Sequence, residues 1–316
     1  MALAFTFPGQ GSQAVGMGRE LAETFASSRA VFEAVDAALG EQLSDVMWEG
    51  PIETLTLTHN AQPALMAHSL AVMAALKSEF GIDVTAAKFV AGHSLGEYSA
   101  LAAAGAISLD DAARLLRLRG QAMQKAVPVG EGAMAALLGA DDTLAMKAVE
   151  AGSKAGVVEF ANDNAPGQIV ISGQKAAVEA AVEAAKAEGL KRAMLLPVSA
   201  PFHCSLMKPA AEAMAEALKG ARIEAPAVPV VTNVTANAQT DPETIRAQLV
   251  EQVTGRVRWR ESVLWMAQQG ITRFAEAGSG KALTGMLKRT TEDATGVALN
   301  TPKDLEAFAA ELKGEA

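Results

Sequence analysis

The sequence predicts an α/β fold, in which a parallel sheet is flanked by helices and a smaller unit is inserted in the middle of the chain. Short apolar runs alternate with longer stretches of helical periodicity, which is typical of parallel strands connected by helices. One apolar run leads directly into a Gly-X-Ser-X-Gly turn and a helical pattern. Further along, the order of elements changes to β-α-β-β-α-β, the ferredoxin-like motif, which indicates a separate compact unit.

The first part of the chain supplies two predicted strands with a long helix between them. Residues 3–7 form the first strand and run into a Gly-rich turn. A helix is predicted over residues 62–80, because Pro63 suits the first turn of a helix and Gly81 suits a C-terminal stop. Residues 88–91 then form a buried strand that ends at the Gly-X-Ser-X-Gly turn.

The inserted unit consists of four predicted strands and two predicted helices. The strands cover residues 133–138, 157–161, 168–172 and 193–198, and the helices cover residues 141–151 and 174–188. Strands near residues 228–234 and 271–275 then continue the larger unit. We therefore predict a large α/β subdomain of residues 1–130 and 199–316 and a small ferredoxin-like subdomain of residues 131–198.

Composition and charge narrow the class of protein. The chain has 316 residues, of which 50% are hydrophobic and 4% aromatic, so we expect a globular protein with an aliphatic core. A formal net charge of −9 argues against nucleic-acid binding, which needs a basic footprint. The single cysteine, Cys204, fits a reducing compartment, and neither a membrane helix nor a signal peptide is evident. These features predict a cytoplasmic protein that binds neither nucleic acid nor membrane.

The Gly-X-Ser-X-Gly turn makes Ser94 a candidate nucleophile. Between a strand and a helix this turn is so tight that side chains two residues either side of the serine would clash, and Gly92 and Gly96 avoid that clash. The N-terminus of the following helix directs free N–H groups at the site, so the Leu95 N–H is placed to bind an oxyanion. The bare pattern also occurs by chance, but the flanking strand and helix favour a catalytic serine.

A serine hydroxyl needs a general base at neutral pH, and the sequence contains only four histidines. His203 follows a predicted strand, and strand ends are where α/β proteins collect the residues of their sites. His93 neighbours Ser94, but adjacent residues at a sharp turn point in different directions. His68 lies in a predicted helix with an expected packing or surface role, and His59 lies in a predicted loop. His203 is therefore the candidate base, with a structural role as the alternative.

Arg119 is the candidate for recognising a substrate. In the helix predicted over residues 110–126 it falls on the apolar stripe, at i+4 from Leu115 and i+3 from Leu116. An arginine that faces the core is costly unless an anion satisfies it. It could pair with a buried Asp or Glu, extend to the surface, or clamp a substrate carboxylate in bidentate fashion. The carboxylate clamp would select a dicarboxylic half-ester such as malonyl.

Several motifs together resemble the malonyl-coenzyme A:acyl carrier protein transacylases of fatty-acid synthesis, and the match covers essentially the whole chain. They are Phe-Pro-Gly-Gln-Gly-Ser-Gln at residues 7–13, Gly-His-Ser-Leu-Gly-Glu at 92–97, Arg-Gly at 119–120, Asn-Asp-Asn-Ala-Pro-Gly-Gln at 162–168 and Pro-Phe-His-Cys at 201–204. The first two motifs in combination are far more specific than either alone. The resemblance implies an α/β-hydrolase-like parallel-sheet core with an inserted ferredoxin-like subdomain.

The resemblance also implies a role for each matching residue. The implied roles are Ser94 as nucleophile, His203 as base, the backbone N–H groups of Gln13 and Leu95 as oxyanion hole, and Arg119 and Gln252 as substrate-binding residues. Gln252 also matches the position that helps to hold the histidine. The family uses a Ser-His dyad whose imidazole is oriented by a backbone carbonyl or amide oxygen, so no third acid is expected.

The reaction that the resemblance implies is a double displacement. Malonyl would pass from malonyl-CoA to the serine and then to the phosphopantetheine thiol of acyl carrier protein, which supplies fatty-acid elongation without a metal or redox cofactor. The carrier would be acidic while this chain is net negative, so docking would need a local basic patch. The candidate residues are Lys281, Lys288, Arg289, Arg256, Arg258 and Arg260, unless they form an ordinary solvated surface.

Other functions remain open on the sequence alone. A carboxylesterase or thioesterase would use the same turn to transfer acyl groups to water, but it would normally carry an Asp between the serine and the histidine, and none is evident. A polyketide-pathway acyltransferase would share the same residues. A non-catalytic acyl-thioester-binding protein would not need both Ser94 and His203. We expect the chain to act as a monomer.

Overall fold

The computed structural model describes residues 2–198 and 200–314, and the strands of these residues form two separate sheets. Position 199, where the second segment of the predicted large subdomain starts, lies outside the described residues, as do residues 1, 315 and 316. In chain order the strands are β1 (Leu3–Phe7), β2 (Phe89–Gly92), β3 (Gly132–Leu138), β4 (Val158–Ala165), β5 (Gln168–Gln174), β6 (Arg192–Leu195), β7 (Val230–Val231), β8 (Ala238–Gln239), β9 (Arg273–Ala277) and β10 (Thr295–Leu299).

Helices connect the strands and cover both sheets. In chain order they are α1 (Arg19–Thr24), α2 (Ala26–Leu39), α3 (Leu43–Glu49), α4 (Ile52–Thr56), α5 (Thr58–Phe80), α6 (Gly96–Ala103), α7 (Leu109–Ala126), α8 (Asp142–Gly152), α9 (Lys175–Ala187), α10 (Lys208–Gly220), α11 (Pro242–Thr254), α12 (Trp259–Gln268), α13 (Ala282–Thr290) and α14 (Pro302–Lys313). Short 3-10 turns cover Val84–Ala86 and Ser205–Met207. Within the described residues, none of these helices combines the length and the apolar character that crossing a membrane requires.

The larger sheet has the strand order β10-β9-β1-β2-β7-β8, with β1 near its centre. β1 runs parallel to both β2 and β9, and the pairs β2 with β7 and β9 with β10 are also parallel, whereas β8 is antiparallel to β7. The predicted parallel sheet with flanking helices is therefore confirmed. The first strand has the predicted bounds, and the strand predicted over residues 88–91 lies one residue further along.

Besides the one-residue shift of β2, four strands of this sheet differ from the prediction. β9 lies two residues beyond the strand predicted over residues 271–275, and β8 was not predicted. The strand predicted over residues 228–234 is reduced to β7, because the chain turns back after it: Ala236 has a φ of 54° and donates its N–H to the Thr232 carbonyl at 2.9 Å. β10 was not predicted. It lies at the edge of the sheet and most of its residues are only partly buried, so its sequence lacks the apolar run of a central parallel strand.

Two helices of the larger unit pack closely enough to bring distant polar residues together. α5 is buried on nearly all sides, which fits its predominantly apolar sequence. α7 crosses it where Gly120 faces His59, and a Cβ on Gly120 would lie only 2.4 Å from the His59 Cα. The absence of a side chain at Gly120 therefore allows the contact that places Arg119 beside Gln62.

The smaller sheet is antiparallel, with the strand order β4-β5-β3-β6. Helices α8 and α9 pack against it, and together they enclose a hydrophobic cluster of their own, which includes Leu137, Ile171 and Val178. The order β-α-β-β-α-β matches the predicted ferredoxin-like unit. The last strand, β6, ends at Leu195, three residues before the predicted end at residue 198. The boundaries proposed at residues 130 and 198 stay a prediction.

A buried ion-pair cluster joins the two sheets. Asp163, on β4, is only 1% exposed, and both of its oxygens accept hydrogen bonds from the Arg260 Nε at 2.9 Å. Arg256 Nη2 lies 3.2 Å from the same carboxylate. The Asp163 N–H also donates to the Val257 carbonyl at 2.9 Å. These contacts hold β4 of the small sheet against the first turn of α12 and the segment before it.

We expect Asp163→Asn to lower the free energy of unfolding by about 2–3 kcal/mol. Removing one partner of a buried pair leaves charge uncompensated, and the partial exposure of the two arginines reduces that cost. Urea denaturation of the purified protein measures the change. Glu183→Gln serves as the control, because it breaks an exposed pair with Lys186 and should change stability by less than about 0.5 kcal/mol. Equal effects of the two substitutions would contradict this interpretation.

Candidate active site

Ser94 lies in a sharp turn between β2 and α6, as the sequence predicts. Its φ is 53°, in the left-handed region that a residue with a side chain rarely adopts. A Cβ on Gly92 would lie 1.8 Å from the Gly96 carbonyl oxygen, and a Cβ on Gly96 would lie 2.3 Å from the carbonyl oxygen of Phe7. The two glycines are therefore required by the close approach of backbone to backbone, which is the steric reason inferred from the sequence.

The hydroxyl of Ser94 contacts the imidazole of His203. Ser94 Oγ lies 2.7 Å from His203 Nε2, although the two residues are 109 positions apart in the chain. On the other side of the ring, Nδ1 lies 2.9 Å from the Gln252 carbonyl oxygen and 3.2 Å from that of Gly255. Because carbonyl oxygens only accept, Nδ1 carries the proton and Nε2 presents its lone pair to the serine.

His203 is a neutral imidazole in this environment. The side chain is 4% exposed, and burial lowers its pKa to about 3, with the positive charge of Arg119 as the next cause. The two carbonyl oxygens at Nδ1 oppose this shift only in part. The geometry and the low pKa together leave Nε2 free to accept a proton from Ser94 at neutral pH.

Arg119 is 1% exposed and contacts amide oxygens rather than a carboxylate. Its Nη1 donates to Gln62 Oε1 at 2.7 Å, and its Nη2 donates to Gln252 Oε1 at 2.9 Å and to Ser94 Oγ at 3.2 Å. Of the alternatives that the sequence left open, extension to the surface is excluded by burial. A direct ion pair is not seen among the described residues either. The guanidinium is a buried cation beside the serine hydroxyl.

Gln13 and Leu95 both border the cavity that contains Ser94. Leu95 stands at the start of α6, where backbone N–H groups have no partner within the helix. Gln13 lies in the Gly-rich loop after β1, and its Oε1 accepts the Gly11 N–H at 2.8 Å. The loop is also held by Ser279, whose hydroxyl donates to the Ser12 carbonyl at 2.6 Å. Both residues predicted for the oxyanion hole therefore border the same cavity as Ser94.

The cavity has a volume of about 450 Å³ and lies between the two sheets. Its walls include Ser94, His203 and Arg119 from the larger unit and Asn162 and Asn164 from β4. This is the size of an ordinary small-molecule site. In the part of the chain that the structure describes, no cluster of three or more His, Cys, Asp or Glu side chains could hold a metal ion.

The other histidines and the cysteine have different environments. His59 was expected in a loop, but it lies in the first turn of α5, because that helix starts four residues earlier than predicted. His68 is completely buried, and burial lowers its pKa to about 4. His93 contacts Asn164, with 2.8 Å between Nε2 and Oδ1. Cys204 is buried and its Sγ lies 3.1 Å from the Pro201 carbonyl oxygen.

Two buried residues beneath Ser94 were assigned no role from the sequence. Asn233 Oδ1 accepts the Ser94 N–H at 2.7 Å, and its Nδ2 donates to the Gly92 carbonyl at 2.7 Å. Glu97, within one of the quoted motifs, is completely buried and accepts hydrogen bonds from the Asn233 N–H and from Gln252 Nε2. A signal for Asn233 existed: it follows β7, and polar residues after adjacent parallel strands meet at one edge of a sheet.

The basic residues considered for partner binding fall into two groups. Arg256 and Arg260 pair with Asp163, and Arg258 pairs with Glu261, so these three are engaged within the chain. A second group consists of the exposed residues Lys281, Lys288 and Arg289, at the start and end of α13. Ala282, Leu283 and Met286 of the same helix border the cavity. The exposed cations therefore lie on a helix that borders the site, whereas Arg256 and Arg260 belong to the ion pairs around Asp163.

The sequence is similar to those of known acyltransferases. The family model described as an acyl transferase domain matches residues 4–309. The malonyl CoA-acyl carrier protein transacylase of Bacillus subtilis (strain 168) is 46% identical over 314 residues, which cover 99% of this chain and 98% of the relative. The protein of the same name from Escherichia coli (strain K12) is 47% identical over 304 residues, covering 96% and 97% of the two chains.

Solved structures show the same similarity in three dimensions. The acyl-carrier-protein-S-malonyltransferase from Bartonella henselae superposes with a TM-score of 0.96 at 55% identity, covering 99% of this chain and all of that one. A malonyl-transacylase solved in complex with its type II PKS acyl-carrier protein gives a TM-score of 0.95 at 41% identity, covering 98% and 100% of the two chains. By sequence and by fold, the chain belongs to the malonyl CoA-acyl carrier protein transacylase family of acyltransferases.

Proposed function

We propose that the chain transfers the malonyl group of malonyl-CoA to the phosphopantetheine thiol of acyl carrier protein, through a malonyl ester on Ser94. The observation that carries this proposal is the position of the Ser94 hydroxyl, 2.7 Å from a neutral imidazole and 3.2 Å from a buried guanidinium. The names of the related proteins, malonyl CoA-acyl carrier protein transacylases, support the same substrates. Fatty-acid elongation is the process that we propose this transfer supplies.

The first half-reaction forms the acyl-enzyme. Ser94 Oγ attacks the thioester carbonyl carbon while its proton passes to His203 Nε2. The imidazolium that results is stabilised at Nδ1 by the Gln252 and Gly255 carbonyl oxygens. When the tetrahedral intermediate collapses, the carbon–sulfur bond breaks and the proton on Nε2 passes to the departing coenzyme A thiolate.

The negative charge on the tetrahedral oxygen would be bound by the backbone N–H groups of Gln13 and Leu95. Both residues border the cavity beside Ser94, and the Leu95 amide lies at the positive end of α6. A preorganised donor of this kind typically contributes about 3 kcal/mol to the stabilisation of a transition state. No metal or redox cofactor is needed for any of these steps.

The carboxylate of the malonyl group would be bound by Arg119. Its Nη2 already reaches Ser94 Oγ, so an acyl group on that oxygen lies beside the guanidinium. Gln62 and Gln252 hold the guanidinium in place with amide oxygens and leave its charge uncompensated by a contacting acid. An acetyl group offers no carboxylate to this cation, and we therefore infer selectivity for malonyl over acetyl.

The second half-reaction repeats these steps with the thiol of the carrier protein in place of coenzyme A. His203 Nε2 takes the thiol proton, the thiolate attacks the ester, and Ser94 recovers its proton as the ester bond breaks. All of the residues in these steps come from one chain, so a monomer suffices for the proposed reaction. The proposed compartment is the cytoplasm. A hydrolase would use water in this step, and the experiment below separates the two outcomes.

The first test measures the intact mass of the protein after it is mixed with malonyl-CoA or with acetyl-CoA. We expect a malonyl adduct on the wild-type protein, little acetyl adduct, and no adduct on Ser94→Ala, because only an intact serine hydroxyl can form the ester. Release of coenzyme A without an adduct would indicate hydrolysis. Neither adduct nor release would indicate a protein that only binds acyl thioesters.

The second test is the pH dependence of Ser94 malonylation at saturating malonyl-CoA. Burial lowers the pKa of His203 to about 3, so the base is unprotonated at neutral pH and becomes protonated only as the pH falls toward that value. We therefore expect the rate to change by less than about threefold between roughly pH 8 and pH 5. A loss of rate centred near pH 6.5 that persists after Glu97 is replaced by glutamine would show that the imidazole titrates at its ordinary value instead.

Glu97 must be separated from His203 in that experiment. Burial raises the pKa of Glu97 to about 7, inside the measured range. The profile is therefore recorded for Glu97→Gln as well, which removes this titration. A change of rate near pH 7 that disappears in Glu97→Gln belongs to Glu97, whereas one that persists belongs to another group.

We further propose that acyl carrier protein docks beside α13. Lys281, Lys288 and Arg289 are exposed there, next to the cavity wall, and no ion pair involves them among the residues described. An acidic partner would be attracted to this surface and would place its phosphopantetheine thiol near the cavity entrance. The paired arginines around Asp163 are not part of this proposal.

The docking proposal is tested with the double variant Lys281→Glu and Lys288→Glu. We expect the rate of transfer to the carrier at low salt to fall at least about tenfold, while malonylation by malonyl-CoA changes little, because the substitutions alter the surface charge that attracts the carrier. The control is Lys154→Glu with Lys303→Glu, which makes the same change of charge at exposed sites outside the cavity wall. Unchanged transfer in the first variant would show that the carrier docks elsewhere.

A further inference from the structure

Glu97 is a buried acid that touches neither the proposed base nor a cation. It lies near the start of α6, one turn after Ser94, and is completely buried. Its Oε2 accepts two hydrogen bonds, from the Asn233 N–H at 2.8 Å and from Gln252 Nε2 at 2.9 Å. Burying a carboxyl group costs free energy that its hydrogen bonds must offset. The proposed mechanism gives Glu97 no role.

The two residues that donate to Glu97 are the same two that hold the backbone of Ser94. Asn233 Oδ1 accepts the Ser94 N–H at 2.7 Å, and Gln252 Nε2 donates to the Ser94 carbonyl at 3.0 Å. With a φ of 53°, the serine occupies a conformation that costs on the order of 1–3 kcal/mol and persists only when its surroundings fix it. One carboxylate oxygen thus connects the two residues that fix Ser94, through the backbone N–H of Asn233 and the side-chain amide of Gln252.

Glu97 also helps to determine which way the Gln252 side-chain amide faces. Three acceptor oxygens lie in front of Gln252 Nε2: Glu97 Oε2 at 2.9 Å, the Ser94 carbonyl oxygen at 3.0 Å and Asn233 Oδ1 at 3.4 Å. The amide oxygen must therefore face the opposite way, where it accepts from Arg119 Nη2 at 2.9 Å. If the Gln252 amide were reversed, its N–H groups would face the N–H groups of Arg119, and neither side could accept a hydrogen bond.

We propose that Glu97 is a positioning residue for the acylation of Ser94. By accepting the N–H groups of Asn233 and Gln252 through one oxygen, it fixes the strained serine and turns the Gln252 amide oxygen toward Arg119. This inference rests on the proposed function, because the step that it assists is the attack of Ser94 on the thioester. Glu97 itself would contact neither the substrate nor the reacting atoms.

The second oxygen of Glu97 shows which property of the side chain matters. Glu97 Oε1 is buried and forms no hydrogen bond within the described part of the chain. A proton on Oε1 would leave Oε2 able to accept both hydrogen bonds, so the contacts are compatible with either ionisation state. The position of one acceptor oxygen, rather than negative charge, is therefore what this site requires, and a glutamine amide oxygen could supply it.

Two conservative variants separate position from charge. Glu97→Gln keeps the length of the side chain and an acceptor oxygen but removes the charge, whereas Glu97→Asp keeps the charge and withdraws the oxygens by one methylene. The single-turnover rate of malonyl-Ser94 formation is measured for both at saturating malonyl-CoA. We expect Glu97→Gln to stay within about threefold of the wild type and Glu97→Asp to lose on the order of 100-fold, the effect of a misplacement near 1 Å.

A control variant separates positioning from a general loss of stability. Asp36 is also a buried carboxylate, and it accepts the Ser44 N–H at 3.0 Å in a part of the larger unit that does not border the cavity. We expect Asp36→Ala to lower Tm without slowing malonylation of the folded protein. Should Glu97→Asp not fold, Glu97→Ala replaces it in the comparison, with the same expected loss of rate.

The outcomes distinguish this inference from the proposed function. A wild-type protein that forms no malonyl adduct would refute the function itself. If the wild type is acylated, full activity in Glu97→Asp would overturn the positioning role. Equal or greater loss in Glu97→Gln would overturn it as well, since charge would then be the property required. If Asp36→Ala also slowed malonylation, the lower rate of the Glu97 variants would be explained by lost stability and the positioning role would be overturned.

Discussion

Gln252 contacts the imidazole, the guanidinium and the buried acid that lie around Ser94. Its backbone carbonyl accepts from His203, its side-chain oxygen accepts from Arg119, and its side-chain nitrogen donates to the Ser94 carbonyl and to Glu97. The residue is completely buried in α11, so its hydrogen bonds cannot be exchanged for bonds to water without loss. The relative positions of the serine, the imidazole and the guanidinium all depend on this one residue.

Arg119 is a buried cation whose hydrogen-bond partners in the described part of the chain are all neutral groups. Amide oxygens from Gln62 and Gln252 position Arg119 but supply no negative charge at contact distance. The positive charge helps to keep His203 unprotonated, and in the proposed function it would bind the carboxylate of the acyl group. In the proposed function, one buried charge would therefore favour both a neutral base and an anionic substrate.

The cavity is shared between two structural units, and this division explains the role of the ion pairs around Asp163. Asn162 and Asn164 reach the cavity from the small antiparallel sheet, whereas Ser94 and Arg119 belong to the larger unit. Asp163 lies between these two asparagines on β4, and its ion pairs with Arg256 and Arg260 hold the strand against the larger unit. The shape of the cavity therefore depends on a buried polar junction, as well as on the two hydrophobic cores.

The sequence alone determined the features that depend on local sterics and periodicity. Backbone clashes at Gly92 and Gly96 define the turn at Ser94, the apolar stripe of α7 places Arg119 inward, and alternating patterns define most of the strands. Tertiary structure alone decided the partners of these residues. Asn233 follows Ser94 by 139 residues and Gln252 follows Arg119 by 133, and no short-range pattern encodes a hydrogen bond over such separations. These contacts exist because parallel strands bring distant segments to one edge of a sheet, where buried polar groups must find partners in whatever packs beside them.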